Sequence, residues 1–272
     1  MNPRLSVNGY PFKENPLETD LAYFAAAGFP AIGLWEQKVA TTGWARTAEL
    51  LATHRLRLEY LVKVSMFTLD QPGGWQAERA TMIELLDNAA RLGVPSVYGT
   101  TGPAGGLVYE AAAEAFVEAA TPVAEHALRS GVRLLVEQQN PLGQGASFVS
   151  TFRDLVELAS AADLGICLDL FHAWREGGLI ANFRSAVDRI GLVQVADYAV
   201  GTRQLGDRAV PGDGIVPLED LIGAMVAAGY QGVFDLEITG PRIEAEGREA
   251  ASRRGAERLS ALLDRLPTGS RS

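Results

Sequence analysis

The chain has 272 residues, 47% of them hydrophobic and 21% charged, which is enough apolar material for one large domain or two small ones. Its net charge of −9 argues against a nucleic-acid partner, because such binding depends on Lys and Arg to neutralise phosphates. The single cysteine, Cys167, excludes an intrachain disulfide, and we expect it to be a buried structural thiol. The start of the chain lacks the apolar run of a signal peptide, and no window approaches the ~18 apolar residues of a membrane span. We therefore expect a cytoplasmic protein without a membrane segment.

In the first half of the chain, short apolar runs alternate with helical patterns. Glycines close several of these helices, as Gly28 and Gly93 do, which is typical of helix C-termini. The predicted elements, in order, are a strand over 4–10, a helix over 17–27, a strand over 31–36, a helix over 44–54, a strand over 58–65, a helix over 75–92, a strand over 95–100 and an alanine-rich helix ending near 130.

The second half repeats the pattern, with strands predicted over 132–137, 164–169, 191–194 and 232–237, each followed by a helix. The helices are predicted over 148–162, 180–190, 218–228 and 248–266. A long irregular segment over 198–217 contains Pro211-Gly-Asp-Gly214, which predicts a turn, and loops of this length are usually functional or mobile. Eight strand-plus-helix units predict a (β/α)8 TIM barrel, α/β in class, as one domain over 1–272 with a disordered tail over 267–272.

Four polar side chains end successive predicted strands: Glu137, Asp169, Gln194 and Glu237. In α/β folds ligands collect at the carboxyl ends of parallel strands, so these groups are expected at one place. Carboxylate and carbonyl oxygens suit hard divalent ions such as Mg²⁺ or Mn²⁺. Any one of these side chains could instead cap a loop or form an ion pair.

His172 follows Asp169 by three residues and lies just beyond the strand, which makes it a candidate site residue. The other two histidines, His54 and His126, fall on predicted helices, where a structural role is expected. A catalytic zinc site built on three imidazoles is therefore hard to assemble in this chain. His172 could also be a structural hydrogen-bonding group.

Five further residues are candidates for substrate binding. Arg203 and Arg208 lie in the long segment after the seventh strand, where a guanidinium could hold a carboxylate or hydroxyl. Trp35, Lys63 and Trp174 fall at or near strand ends, where an indole can stack on the C–H face of a polyol. Surface exposure of the arginines and simple packing of the tryptophans are the alternatives.

Taken together, these residues resemble the xylose-isomerase-like superfamily of sugar isomerases and epimerases over nearly the whole chain. The resemblance rests on four stretches: Val136-Glu137-Gln138, Asp169-Leu-Phe-His172, Val193-Gln194-Val-Ala-Asp197, and Gly229-Tyr-Gln-Gly232 through Leu236-Glu237-Ile238. Many ketose epimerases carry histidine at the position of Gln194. The stretch from Gln194 to Ala196 instead resembles hydroxypyruvate isomerase, in which glutamine supplies the metal ligand.

The resemblance implies one divalent metal ion, Mn²⁺ or Mg²⁺, held by Glu137, Asp169, Gln194 and Glu237. It further implies that Glu137 and Glu237 move a proton between carbons of a ketose, keto acid or inosose through an enediolate, with His172 contacting metal or substrate. Superfamily members often pair, so a homodimer is compatible with it. Endonuclease IV-like members need a histidine-rich trinuclear zinc site and a basic DNA face, and neither is present.

Two other functions remain open from the sequence. The same proton abstraction followed by loss of a β-hydroxyl would make the protein a dehydratase or lyase acting on a polyol or glycoside. Alternatively, the protein is not an enzyme but a barrel that binds a polyol or a partner subunit without catalysis.

Overall fold

Eight parallel strands form a closed barrel in chain order in the computed structural model, which describes residues 1–202, 204 and 206–266. The predicted (β/α)8 TIM barrel is therefore confirmed, while Arg203 and the tail over 267–272 lie outside the described residues. The strands are β1 Leu5–Asn8, β2 Ile32–Trp35, β3 Leu58–Lys63, β4 Ser96–Thr100, β5 Arg133–Glu137, β6 Gly165–Asp169, β7 Ile190–Val195 and β8 Phe234–Leu236.

Helices join consecutive strands and surround the barrel. Local sequence defines several of their ends: Thr151 Oγ1 accepts the Asp154 N–H at 3.1 Å before α6, and Gly28 ends α1 in the left-handed conformation. The helices are α1 Leu17–Ala27, α2 Glu36–Thr42, α3 Trp44–His54, α4 Trp75–Arg91, α5 Tyr109–Ser130, α6 Phe152–Ala161, α7 Leu170–Ala173, α8 Leu179–Ala186, α9 Leu218–Ala227, α10 Pro241–Glu246 and α11 Arg248–Arg265.

The apolar residues form two separate clusters. The larger one lies between the barrel and its helices and includes Leu21, Phe24 and Phe116. The smaller one fills the inside of the barrel and contains Tyr60, Val62, Tyr98, Leu135, Cys167, Leu192 and Val233. The barrel interior is thus a packed core below the strand ends, as side-chain alternation along the strands requires.

Gly33 shows how tightly the barrel interior is filled. The Tyr60 ring packs against its backbone, and a Cβ built on Gly33 would lie 1.8 Å from Tyr60 Cζ. Only a residue without a side chain therefore allows this tyrosine to lie inside the barrel.

Strand register brings the predicted polar groups to the same end of the barrel. Thr100 pairs with Glu137 across β4 and β5, and Asp169 pairs with Gln194 across β6 and β7. Gln194 in turn pairs with Asp235 on β8, so Glu237 lies just past the end of that strand. Within the described chain, no helix combines the length and hydropathy needed to cross a bilayer.

Candidate active site

The carboxyl ends of the strands enclose a cavity of about 200 Å³. Glu137, Lys63, Arg208 and Glu237 are among the predicted residues that line it. The remaining lining residues are Tyr10, Val62, Val64, Tyr98, Thr100, Gln139, Ala146, Gly206 and Thr239. The volume suits a small ligand, since sites for drug-sized molecules usually exceed about 300 Å³.

Glu137, Asp169 and His172 form a compact cluster beside this cavity. One ligand atom from each lies within 4.8 Å of the others. Asp169 Oδ1 accepts the Phe171 N–H at 2.8 Å and so caps the short helix α7. That helix returns His172 toward the strand end, leaving its Nε2 3.3 Å from Asp169 Oδ2.

Several atoms of this cluster are buried without a hydrogen-bond partner among the described residues. They include Asp169 Oδ2 and both ring nitrogens of His172. Burial lowers the pKa of His172 to about 4, so the imidazole is neutral and has a free lone pair. Buried polar atoms without partners are costly, and they are expected where a ligand or ion completes the coordination.

Arg208 is the buried cation of the site. Its Nη2 lies 2.7 Å from Asp169 Oδ2, at ion-pair distance but without hydrogen-bond alignment, and 3.6 Å from Glu237 Oε1. Its guanidinium also stacks over the Phe171 ring, with Cζ 4.7 Å from the ring centroid. Burial alone would raise the pKa of Asp169, but the charge of Arg208, together with His172 and the hydrogen bond from the Phe171 N–H, outweighs burial and holds that pKa below its ordinary value.

The pKa values of Glu137 and Glu237 are raised, whereas that of Asp169 is lowered. Burial raises the pKa of Glu237 to about 7, although Arg208 opposes the shift. Burial, followed by the charges of Glu237 and Asp169, raises the pKa of Glu137 well above its ordinary range. Two buried carboxylates, Glu137 and Asp169, and the partly buried Glu237 thus share one buried guanidinium.

This donor set fits a divalent cation. The carboxylates exceed the nearby positive charge, and buried like charges are unfavourable unless a counter-charge is present. Two carboxylates and one neutral imidazole suit Mn²⁺, Mg²⁺ or Zn²⁺. Glu137, Asp169 and His172 are therefore the residues that could hold one ion.

Gln194 is buried beside this cluster, and both ends of its side-chain amide are hydrogen-bonded. Its Oε1 accepts a hydrogen bond from the Cys167 thiol at 3.2 Å. Its Nε2 donates to Glu237 Oε2 and to the Tyr98 hydroxyl, the latter at 3.0 Å. In this arrangement Gln194 binds Glu237 as a donor, whereas the sequence led us to expect a metal ligand.

The segment that carries Arg208 is organised by Asp197. Its carboxylate accepts four backbone N–H groups at 2.8–3.0 Å, from Tyr198, Gly212, Gly214 and Val216. Asp197 and Ala209 also exchange two backbone hydrogen bonds at 2.9 Å. The predicted turn at Pro211–Gly214 thus folds around one buried carboxylate. Arg208 lies just before this turn, and its guanidinium reaches Asp169.

The other predicted binding residues have varied positions. Lys63 lines the cavity with its Nζ 3.1 Å from Glu36 Oε1. Trp35 packs edge-on against Tyr10, and Trp174 packs against Tyr198, with centroids 5.8 and 5.9 Å apart. Neither indole is among the residues that line the cavity.

Among the described residues, sequence reasoning missed five polar residues of the cavity: Tyr10, Tyr98, Thr100, Gln139 and Thr239. Gln139 Nε2 donates to Glu137 Oε1 at 2.7 Å. Tyr98 and Thr100 share the inward parity of the predicted fourth strand, and that alternation was the signal that could have found them. Gln139 follows its strand in an irregular segment, where no periodicity applies.

Comparison with known proteins gives a consistent result. A family model described as xylose isomerase-like TIM barrel matches residues 21–262. An inosose isomerase from Halalkalibacterium halodurans is 27% identical over 132 residues, which is 46% of this chain and 46% of that protein. The aligned region thus spans about half the length of that relative.

Solved structures share the fold over nearly the whole chain. The IolI protein, whose structure is described with a binding zinc atom, has a TM-score of 0.83 at 20% identity and covers 97% of this chain and 99% of its own. D-psicose 3-epimerase with D-tagatose, from Clostridium cellulolyticum H10, has a TM-score of 0.76 at 20% identity and covers 96% and 97%.

Proposed function

Because the chain belongs to the xylose isomerase-like TIM barrel family, we propose that it is a divalent-metal-dependent isomerase or epimerase of a small hydroxy-carbonyl compound. The observation that carries this proposal is the pair of glutamates, the buried Glu137 and the partly buried Glu237, that face one small cavity from β5 and from the end of β8. The partial match to an inosose isomerase and the structural likeness to D-psicose 3-epimerase support the same reaction type.

Glu137, Asp169 and His172 would hold the cation, for which Mn²⁺ or Mg²⁺ is our first choice. When bound, the ion supplies Lewis-acid polarisation of the substrate carbonyl, which acidifies the neighbouring C–H bond. Gln194, which the sequence predicts as a further ligand, donates to Glu237 and accepts from Cys167 in this arrangement, so we propose that it acts by holding Glu237.

We assign both proton transfers to the two glutamates. Glu237 would remove the proton from the carbon beside the carbonyl, and Glu137 would return a proton to the resulting enediolate. A pKa near 7 suits Glu237 for this task, because general acid–base groups work best when their pKa lies near the operating pH. Gln139 holds Glu137 and Gln194 holds Glu237, so both carboxylates are oriented before the substrate binds.

The remaining groups would position the substrate. Lys63 at the cavity wall would bind a distal hydroxyl of the substrate. A cavity of about 200 Å³ favours a small ketose, keto acid or inosose. We therefore propose that the partner is a small-molecule substrate and that no nucleic acid is involved. We further propose that the enzyme is cytoplasmic and compatible with a homodimer.

Metal content and turnover test this proposal together. The purified protein is analysed for divalent ions, then assayed on ketoses, hydroxypyruvate and inososes before and after chelation and repletion with Mn²⁺ or Mg²⁺. We expect close to one ion per chain and isomerisation that chelation abolishes and repletion restores. Asp169→Asn should lose both, whereas Asp213→Asn, which removes an exposed loop charge, should retain both.

Two outcomes would replace the proposal. Net loss of water from a substrate would identify a dehydratase that uses the same site. Absence of metal, and of turnover with every added metal, would favour a barrel that binds its ligand without catalysis.

A further inference from the structure

The hydroxyl group of Tyr98 lies inside the barrel at the base of the proposed active-site cavity. The residue is 2% exposed, projects inward from β4 and lines the cavity. Its oxygen accepts two N–H donors, from Gln194 Nε2 at 3.0 Å and from Asn8 Nδ2 at 3.4 Å. Both donors are side-chain amides, so the direction of each bond depends on which way the amide points.

Independent contacts fix the orientation of both amides. Gln194 Oε1 accepts from the Cys167 thiol, and the opposite side of the amide faces the Glu237 carboxylate, which accepts hydrogen bonds and so requires an N–H. Asn8 Oδ1 accepts the backbone N–H of Tyr10 at 2.8 Å, which turns its Nδ2 toward Tyr98. Each amide therefore donates to the Tyr98 oxygen.

A hydroxyl that accepts two hydrogen bonds has used both lone pairs and keeps one hydrogen to donate. Within residues 1–202, 204 and 206–266, no side chain or carbonyl receives a hydrogen bond from Tyr98. The neighbouring Tyr60 differs, because its hydroxyl donates to Asp235 Oδ2 at 2.6 Å in the layer below the cavity. Because Tyr98 lines the cavity, its hydroxyl hydrogen can point into the cavity and donate to a ligand there.

We propose that Tyr98 is a further catalytic residue, which donates its hydroxyl hydrogen to the substrate oxygen on which negative charge develops as the adjacent C–H bond is broken. This inference rests on the proposed function. The hydroxyl keeps its proton throughout, so the step is a hydrogen bond that strengthens as the enediolate forms. Two amide donors to the same oxygen polarise its O–H bond and make it a better donor.

The test compares Tyr98→Phe with Tyr60→Phe, which removes a buried hydroxyl that does not line the cavity. Solvent deuterium incorporation into the substrate is measured for both Mn²⁺-loaded variants. Loss of a preorganised donor to an oxyanion lowers kcat by about 10²–10³-fold, so Tyr98→Phe should show that loss with KM changed by less than about threefold. Tyr60→Phe should keep the wild-type kcat, and thermal unfolding of both variants checks that the fold is intact.

Binding of glycolohydroxamate, a planar mimic of an enediolate, gives a second readout that does not need turnover. Tyr98→Phe should bind it at least ~10-fold more weakly than wild type, which corresponds to one lost hydrogen bond to a charged oxygen, and Tyr60→Phe should bind it normally. Wild-type binding and wild-type kcat in Tyr98→Phe would overturn the role of Tyr98 and leave the proposed function standing.

If wild type exchanges no proton with any substrate of the panel but still binds the hydroxamate, the proposed function fails, and the catalytic role of Tyr98 fails with it whatever the binding ratio. A wild type that neither exchanges protons nor binds the hydroxamate overturns both proposals.

Discussion

Arg208 neutralises the carboxylates of the site and also packs on an aromatic ring. It is 4% exposed, lies between Asp169 and Glu237, and stacks over Phe171. Burial lowers its pKa, but the neighbouring carboxylates more than compensate and leave the pKa above its ordinary value, so it stays cationic. The sequence identified Arg208 as a candidate substrate ligand, and the structure surrounds it with the carboxylates of the protein itself.

Replacing Arg208 by methionine should destabilise the chelated protein by about 3–5 kcal/mol, because it leaves buried carboxylates without their counter-charge. Urea unfolding followed by circular dichroism measures the difference. Arg46→Met removes a half-exposed guanidinium on α3 and should cost less than about 1 kcal/mol. Equal stability of the two variants would show that Arg208 does not neutralise the site.

Tyr98, Gln139 and Arg208 show how much of a single residue's surroundings the sequence reveals. The positions of Glu137 and Asp169 follow from apolar runs that end in a carboxylate, because a buried strand is easily recognised. Gln139 and Arg208 lie in irregular segments, where side-chain direction depends on contacts made far along the chain. The parity of the predicted strand could place Tyr98 inside the barrel, but the two amides that donate to its hydroxyl come from residues far along the chain.

Asp197 determines the conformation of the segment between β7 and α9. Asp197→Ala removes four accepted N–H bonds and should destabilise the protein by about 3–4 kcal/mol, since each bond to a charged group contributes about 1.5–3 kcal/mol and water replaces part of the loss. Activity should fall as well, because Arg208 lies on the same segment. Thermal and urea unfolding, with the isomerase assay, measure both effects.

Asp213→Ala is the matched control in the same segment. Its partly exposed carboxylate pairs with Arg254 and Arg258 on α11, and its loss should cost less than about 1 kcal/mol. If Asp197→Ala were as stable as this control, the carboxylate of Asp197 would not organise the segment.

The long helices were predicted closely from sequence, and the short ones were missed. The helices over 17–27 and 44–54 have the predicted bounds, because an apolar stripe repeats over three turns in each. Helices α2, α7 and α10 have four to seven residues, which is too few for a periodic pattern. Helix α7 matters most, since capping by Asp169 brings His172 back to the strand end.

At the scale of the whole molecule, the barrel could be predicted because its repeat occurs eight times. A missed short helix does not change the count of strands, and parallel strands in chain order then close in one way. The cavity could not be predicted to the same extent. Its shape depends on strand register and on how the segments after β5 and β7 fold across the barrel end.

Metal binding should stabilise the whole barrel, because Glu137 and Asp169 end adjacent strands and His172 lies on the helix that follows. A ligand at 100 times its Kd adds about 2.7 kcal/mol to stability, which is roughly 5–10 °C in Tm for a chain of this size. Differential scanning fluorimetry of chelated protein titrated with Mn²⁺ measures the shift. It should disappear in Asp169→Asn and persist in Asp213→Asn; a shift retained in Asp169→Asn would place the metal elsewhere.

Solvent deuterium incorporation tests the central claim most directly. The metal-loaded wild type, Glu137→Gln and Glu237→Gln are incubated in D2O with a substrate that the panel assay identifies, and deuterium beside the carbonyl is measured by NMR. We predict incorporation by the wild type and a loss of about 10²–10⁴-fold in each variant, with the fold retained. Wild-type rates of isomerisation and deuterium incorporation in either glutamine variant would contradict the two-glutamate mechanism.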